Sequence, residues 1–296
     1  MGWSRFSSFG LAGLAVILVA ACQPSAEDET ANARVRQDVD AMAREHAGDD
    51  PTPTAGAATA PARPVVAETL PYAEVGEELV YGHFVFPADM VDPLPGLIVV
   101  HEWWGLNEGV RALADRLAGE GYIVLAVDLF GGETAATPGR ARELMQRALE
   151  APEAANANLR QAYAFLEQTA GAPRIGSIGW CFGGSWSLNA ALLLPGELDA
   201  AVVYYGQVPA EPERLAPLQA PVLGLFAEED RGIPVASVQA FAAALENLDK
   251  EHEIEIYPGV GHAFANPSGN SYDADTAKRA WERTLEFLAS HLHEAG

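Results

Sequence analysis

Three residues of this chain combine side-chain type with positions suited to nucleophilic chemistry: Cys181, Asp230 and His262. Cys181 lies in Gly179-Trp180-Cys181-Phe182-Gly183-Gly184, between an apolar, β-branched run over 174–178 and a breaker-free stretch of helical spacing over 185–194. A strand-to-helix turn with small flanking residues is the setting in which a nucleophile is held at the top of an α/β sheet. A thiol with an ordinary pKa of about 8.5 is only a few per cent thiolate at neutral pH, so it needs a base or a positive field. The N-terminal N–H groups of the following helix offer the field. His262, in the glycine-flanked loop after the last expected strand, offers the base. Asp230 follows the apolar run 221–226 and is placed to hold the imidazole in one tautomer, with Glu228 and Glu229 as rivals. A buried cysteine among packing glycines, and an acidic loop capping a helix, would account for the same residues.

The remaining histidines are weaker candidates. His46 falls in the N-terminal segment, His83 on an edge strand and His101 at the end of a buried strand, while His252, His291 and His293 stand in charged stretches. No His-x-x-x-His or paired-cysteine spacing occurs, so no metal ion and no organic cofactor is expected.

Elements capable of positioning these groups recur along the chain. An alternating stretch over 78–86 predicts an antiparallel edge strand, and the continuous apolar runs 96–100, 122–127, 200–205 and 221–226 predict strands buried on both faces. Helices are expected over 108–120, with Asn107 as N-cap, and over 140–149, 154–168, 235–248 and 275–293; the last strand is expected over 253–257. Strands alternating with helices imply βαβ crossovers, hence an α/β fold with a mostly parallel sheet covered on both faces. The order nucleophile, acid, histidine is that of the α/β-hydrolases.

The chain has 296 residues, of which 49% are hydrophobic, enough for a real core. Its formal charge of -23 argues against nucleic acid or an anionic lipid surface as partner. Residues 1–21 carry one early positive charge, Arg5, then an uncharged run ending in Ala20-Ala21, the layout of a signal peptide. Val19-Ala20-Ala21-Cys22 resembles a bacterial lipobox, which would make Cys22 a lipidated N-terminus and place the protein on the periplasmic side of a bacterial membrane. With Cys22 so occupied, Cys181 has no disulfide partner. Residues 23–64, rich in Ala, Pro, Thr, Asp and Glu, are expected to form a flexible tether, in which 35–46 has the spacing for one or two amphipathic helical turns through Val35, Val39 and Met42, either docked on the domain or fraying in solvent. The catalytic domain is expected over 65–296.

Five separated motifs agree in order with one family. His101-Glu102-Trp103-Trp104-Gly105-Leu106-Asn107, Asp128-Leu129-Phe130-Gly131-Gly132, the segment around Cys181, Asp230 with Pro234, and Gly261-His262-Ala263-Phe264 resemble the dienelactone hydrolases, or carboxymethylenebutenolidases. So does the closing segment with Tyr272, Trp281 and Phe287. The resemblance implies a hydrolase of small carboxylic esters or lactones, with a Cys181–His262–Asp230 triad and a thiol acyl-enzyme. It implies an activating Glu102 and an oxyanion hole from the backbone N–H groups of Trp103 and Phe182, with Trp103 also walling the substrate pocket. One position departs: where prototype members carry an arginine four residues after the histidine, this chain has Asn266, which points to uncharged substrates. A thioesterase or acyltransferase on the same triad, or a non-catalytic envelope lipoprotein keeping the fold, are the alternatives.

Overall fold

The computed structural model describes residues 26–46, 48–49, 51 and 59–293. The expected signal peptide and Cys22 lie outside the described residues. An eight-stranded sheet runs through the molecule in the order β1-β2-β4-β3-β5-β6-β7-β8. Its strands are β1 (Val65–Val75), β2 (Glu78–Pro87), β3 (Gly96–Val100), β4 (Ile123–Val127), β5 (Ile175–Trp180), β6 (Ala200–Tyr204), β7 (Val222–Ala227) and β8 (His252–Tyr257). β2 pairs antiparallel with both β1 and β4, and all the other pairings, from β4 to β8, are parallel. β3 to β7 are buried residue by residue, as continuous apolar runs in a doubly covered sheet require. The predicted edge strand β2 is internal: β1, whose alternation is broken by a register shift between Pro71 and Ala73, forms the edge instead.

The crossover helices are α2 (Glu108–Gly119), α3 (Pro138–Glu150), α4 (Pro152–Ala164), α5 (Phe182–Leu193), the short α6 (Pro212–Leu215), α7 (Val235–Asn247) and α8 (Ala274–Leu292). Asn107 caps α2 as expected, its Oδ1 accepting the Val110 N–H at 3.1 Å. Asp273 does the same for α8 at 2.8 Å from the Thr276 N–H.

The largest difference from expectation lies before the domain. Where composition pointed to a tether, the chain forms a 20-residue helix, Ala26–Glu45, that packs against α3. It is α1 in our numbering. Val39, Met42 and the following His46 are 1%, 3% and 0% exposed, and their spacing places them on one face. Each fully buried apolar side chain contributes on the order of 1.5–3 kcal/mol, whereas the exposed Asp40–Arg142 ion pair between α1 and α3 adds roughly 0–1 kcal/mol. Apolar burial therefore holds the helix down, and a low average hydrophobicity conceals it.

Candidate active site

The C-terminal edge of the parallel strands gathers the predicted groups. Cys181 follows β5 with φ 58° and ψ -121°, a left-handed conformation that costs a non-glycine residue about 1–3 kcal/mol. The neighbouring glycines permit that turn by close approach. A Cβ on Gly183 would stand 2.2 Å from the Val100 carbonyl oxygen, and one on Gly179 2.1 Å from that of Gly183. The elbow is thus wedged between β3 and α5, with Sγ fully buried.

His262, in the loop after β8, donates from Nδ1 to Asp230 Oδ2 at 2.7 Å. Asp230, after β7, accepts the N–H groups of Gly232 and Ile233 at 2.9 Å on its other oxygen. Its rivals are elsewhere: Glu228 accepts the Gly259 N–H at the surface, and Glu229 is exposed. With Nδ1 committed, His262 Nε2 faces the thiol, lying within 4.8 Å of Sγ. Burial opposes charge on this imidazole, but its bond to Asp230 and the sulfur beside it raise its pKa well above the ordinary value.

Glu102 and Trp103 follow β3 and are buried. Burial, then the neighbouring sulfur, push the Glu102 carboxyl up to about 8, so it is mostly protonated at neutral pH and does not repel a thiolate. Asn266, expected to face substrate, instead donates from Nδ2 to Glu102 Oε2 at 2.7 Å. Asn266 is therefore engaged with the glutamate in this conformation. His101 has a structural part: its Nδ1 donates to the Glu102 carbonyl at 2.6 Å and its Nε2 accepts the Leu129 N–H at 3.1 Å. The Asp128-to-Gly132 motif is likewise a turn, closed by Asp128 on the N–H groups of Phe130 and Gly132.

His46, assigned to the tether by sequence, stands at the centre of the site. Its Nε2 is 3.4 Å from Cys181 Sγ, its ring stacks on Trp103 at 4.9 Å, and its Nδ1 donates to Asp49 Oδ2 at 2.7 Å. Asp49 is held in turn by the Asn270 N–H at 2.9 Å. Met42 Sδ lies 3.0 Å from the same sulfur. Burial alone would raise the Cys181 pKa; the charge of His46 and the bonding of the two imidazoles outweigh it and hold the thiol at about 6. Burial disfavours charge on His46, but the thiolate and Asp49 bring its pKa up to about 9. The amphipathic spacing of 35, 39 and 42 is legible in the sequence, but nothing in it linked that face, or His46 beside it, to residues 181 and 262.

With α1 in place there is little space over the thiol. A cavity of about 30 Å³ remains alongside, lined among others by Asp49, Glu102, Trp104, Arg116, Tyr205 and Asn266. Arg116 was not anticipated, and it is half-buried with its guanidinium 4.0 Å over the Trp281 ring. Arg140 is paired with Glu133 and Glu143, and Arg142 with Asp40, and neither lines this cavity.

Residues 81–292 match the model of the Dienelactone hydrolase family. A Saccharolobus solfataricus protein named, by inference, carboxymethylenebutenolidase is 30% identical over 240 residues, covering 69% of this chain and 92% of its own. An Escherichia coli K12 protein of the same name is 32% identical over 220 residues, covering 69% and 80%. The crystal structure of an inferred dienelactone hydrolase from Klebsiella pneumoniae superposes with a TM-score of 0.71 at 30% identity, covering 77% of this chain and all of that one. The matched region begins inside β2, so the family match excludes α1 with His46 and Met42. From Tyr81 to Leu292, with the elbow, the acid loop and the histidine loop at one sheet edge, the chain belongs to the dienelactone hydrolase family.

Proposed function

We propose that this carboxylic ester hydrolase cleaves small esters or lactones through a thiol acyl-enzyme built on Cys181, His262 and Asp230. The observation that carries the reading is the Asp230–His262 hydrogen bond at 2.7 Å with Nε2 turned toward a sulfur on a strained elbow. The thiolate adds to the carbonyl carbon, and the carbonyl π electrons move to oxygen, where the N–H groups of Trp103 and Phe182 are the oxyanion donors. Collapse expels the alcohol oxygen, which takes its proton from His262 Nε2 and leaves a thioester. Water, deprotonated by His262, then adds to the thioester, and the thiolate departs with the acid released. Glu102, protonated near neutral pH and tied to Asn266, keeps negative charge away from the sulfur at rest.

Turnover of a p-nitrophenyl ester tests these roles. Cys181→Ala should lose several powers of ten in kcat, and Asp230→Asn roughly 10⁴-fold by releasing the imidazole tautomer. Asp230→Asn at wild-type rate would remove Asp230 from the mechanism.

We further propose, from the uncharged run before Cys22 and its small flanking residues, that the enzyme is lipid-anchored on the periplasmic side of a bacterial membrane. Mass spectrometry of the mature N-terminus decides it: a diacylglyceryl group on Cys22 is expected, and an intact Met1 would contradict it.

A further inference from the structure

We propose that α1 closes over the catalytic thiol to make a binding site for a thiophilic d¹⁰ metal ion, Zn²⁺ or Cu⁺, with Cys181, His46 and His262 as ligands. Cys181 Sγ and one ring nitrogen from each histidine all lie within 4.8 Å of one another. The His46-to-sulfur distance, 3.4 Å, is close to the ligand–ligand spacing of about 3.5 Å that a tetrahedral ion imposes with bonds near 2.0–2.3 Å. All three side chains are at least 98% buried.

The surroundings are those of a metal site as well as of a catalytic one. Each imidazole turns Nε2 inward because its Nδ1 donates to a carboxylate at 2.7 Å, Asp49 for His46 and Asp230 for His262. Carboxylate-braced histidines are the usual outer layer around metal ligands, fixing the ring orientation and raising its basicity. The triad itself requires only one of the two pairs. Met42 adds a thioether 3.0 Å from the thiol, and thiolate, imidazole and thioether together form a soft donor set. The residues are 46, 181 and 262, so no local spacing announces them; only docking of α1 assembles the site. At neutral pH Cys181 is a thiolate beside protonated imidazoles, so binding displaces the imidazole Nε2 protons to solvent and forms three metal bonds, from one thiolate and two neutral imidazoles. An ion so held ties α1 down and removes the thiolate lone pair from reaction. That inhibition rests on Cys181 being the nucleophile; the binding does not.

The test uses the full chain, stripped by chelator and titrated separately with Zn²⁺ and with Cu⁺ against a chromophoric competitor. One ion per chain is expected. His46→Ala should weaken it about 100-fold or more, and Asp49→Asn about 10- to 100-fold, each variant first checked for folding by circular dichroism. Co²⁺ used as a reporter should give a thiolate-to-metal charge-transfer band that Cys181→Ser removes. Should His46→Ala fail to fold, His46→Gln provides the same comparison. Bound ion should also suppress ester turnover until chelator is added. No ion retained at micromolar concentration, or equal affinity in wild type and His46→Ala, would overturn the proposal. These readouts do not depend on turnover, so a failed triad assignment and a failed metal site give different results.

Discussion

Cys181 lies between two imidazoles, each braced by a carboxylate, and its ionisation follows from them. The groups facing it are His46, His262, Glu102 and Tyr205. Because its pKa is lowered to about 6, the thiolate is populated above that pH and lost as pH falls through it. In chelator-treated protein, the iodoacetamide reaction rate should therefore rise with a midpoint near 6. In His46→Ala the foremost of the influences lowering that pKa is gone, and the midpoint should move upward. A midpoint that stays put in the variant would show that His262 alone sets the thiol. Cys181, Asp230 and His262 were legible because each follows an apolar strand in the order of a known catalytic arrangement. Asn266 was legible as a departure but not in its contact, since its bond to Glu102 joins residues 164 apart in sequence.

At the scale of elements, strands and crossover helices could be read from apolar runs and caps because both faces of the parallel sheet are buried. Boundaries moved by a few residues, as in α5, which starts at Phe182 because the elbow itself is the first turn. β1 was not foreseen, and α1 was foreseen only in part, as the amphipathic stretch 35–46. The first is mostly exposed, without regular alternation and with Pro71 in its middle, as suits an edge, and the second spends only a few side chains on contact. Those few give a direct experiment. Val39 is 1% exposed, so Val39→Asp would bury a carboxylate, which is costly without a partner, and α1 should undock instead. Labelling of Cys181 at neutral pH, followed with an uncharged alkylating reagent, should then accelerate at least tenfold. An unchanged labelling rate in a folded Val39→Asp protein would show that α1 does not limit access to the thiol.

For the whole molecule, a charge of -23 surrounds a site whose near cation, Arg116, is stacked on Trp281. Such a field lowers the local concentration of anionic substrates, and salt screens it over about 8–10 Å. Rising ionic strength should therefore increase kcat/KM for a carboxylated ester or lactone while leaving a neutral analogue nearly unchanged. Equal salt dependence for the two would mean that global charge does not reach the site. Family membership over residues 81–292 accounts for the hydrolase scaffold, whereas the segment before it supplies the groups that cover the thiol.

The thiol acyl-enzyme is tested by quenching the wild-type protein during turnover of a slow acyl ester and locating the acyl group by peptide mass spectrometry. The acyl group should be found on the peptide carrying Cys181, accumulate before the steady state, and be absent in Cys181→Ala together with turnover. An acyl group on another residue, or undiminished turnover in Cys181→Ala, would contradict it.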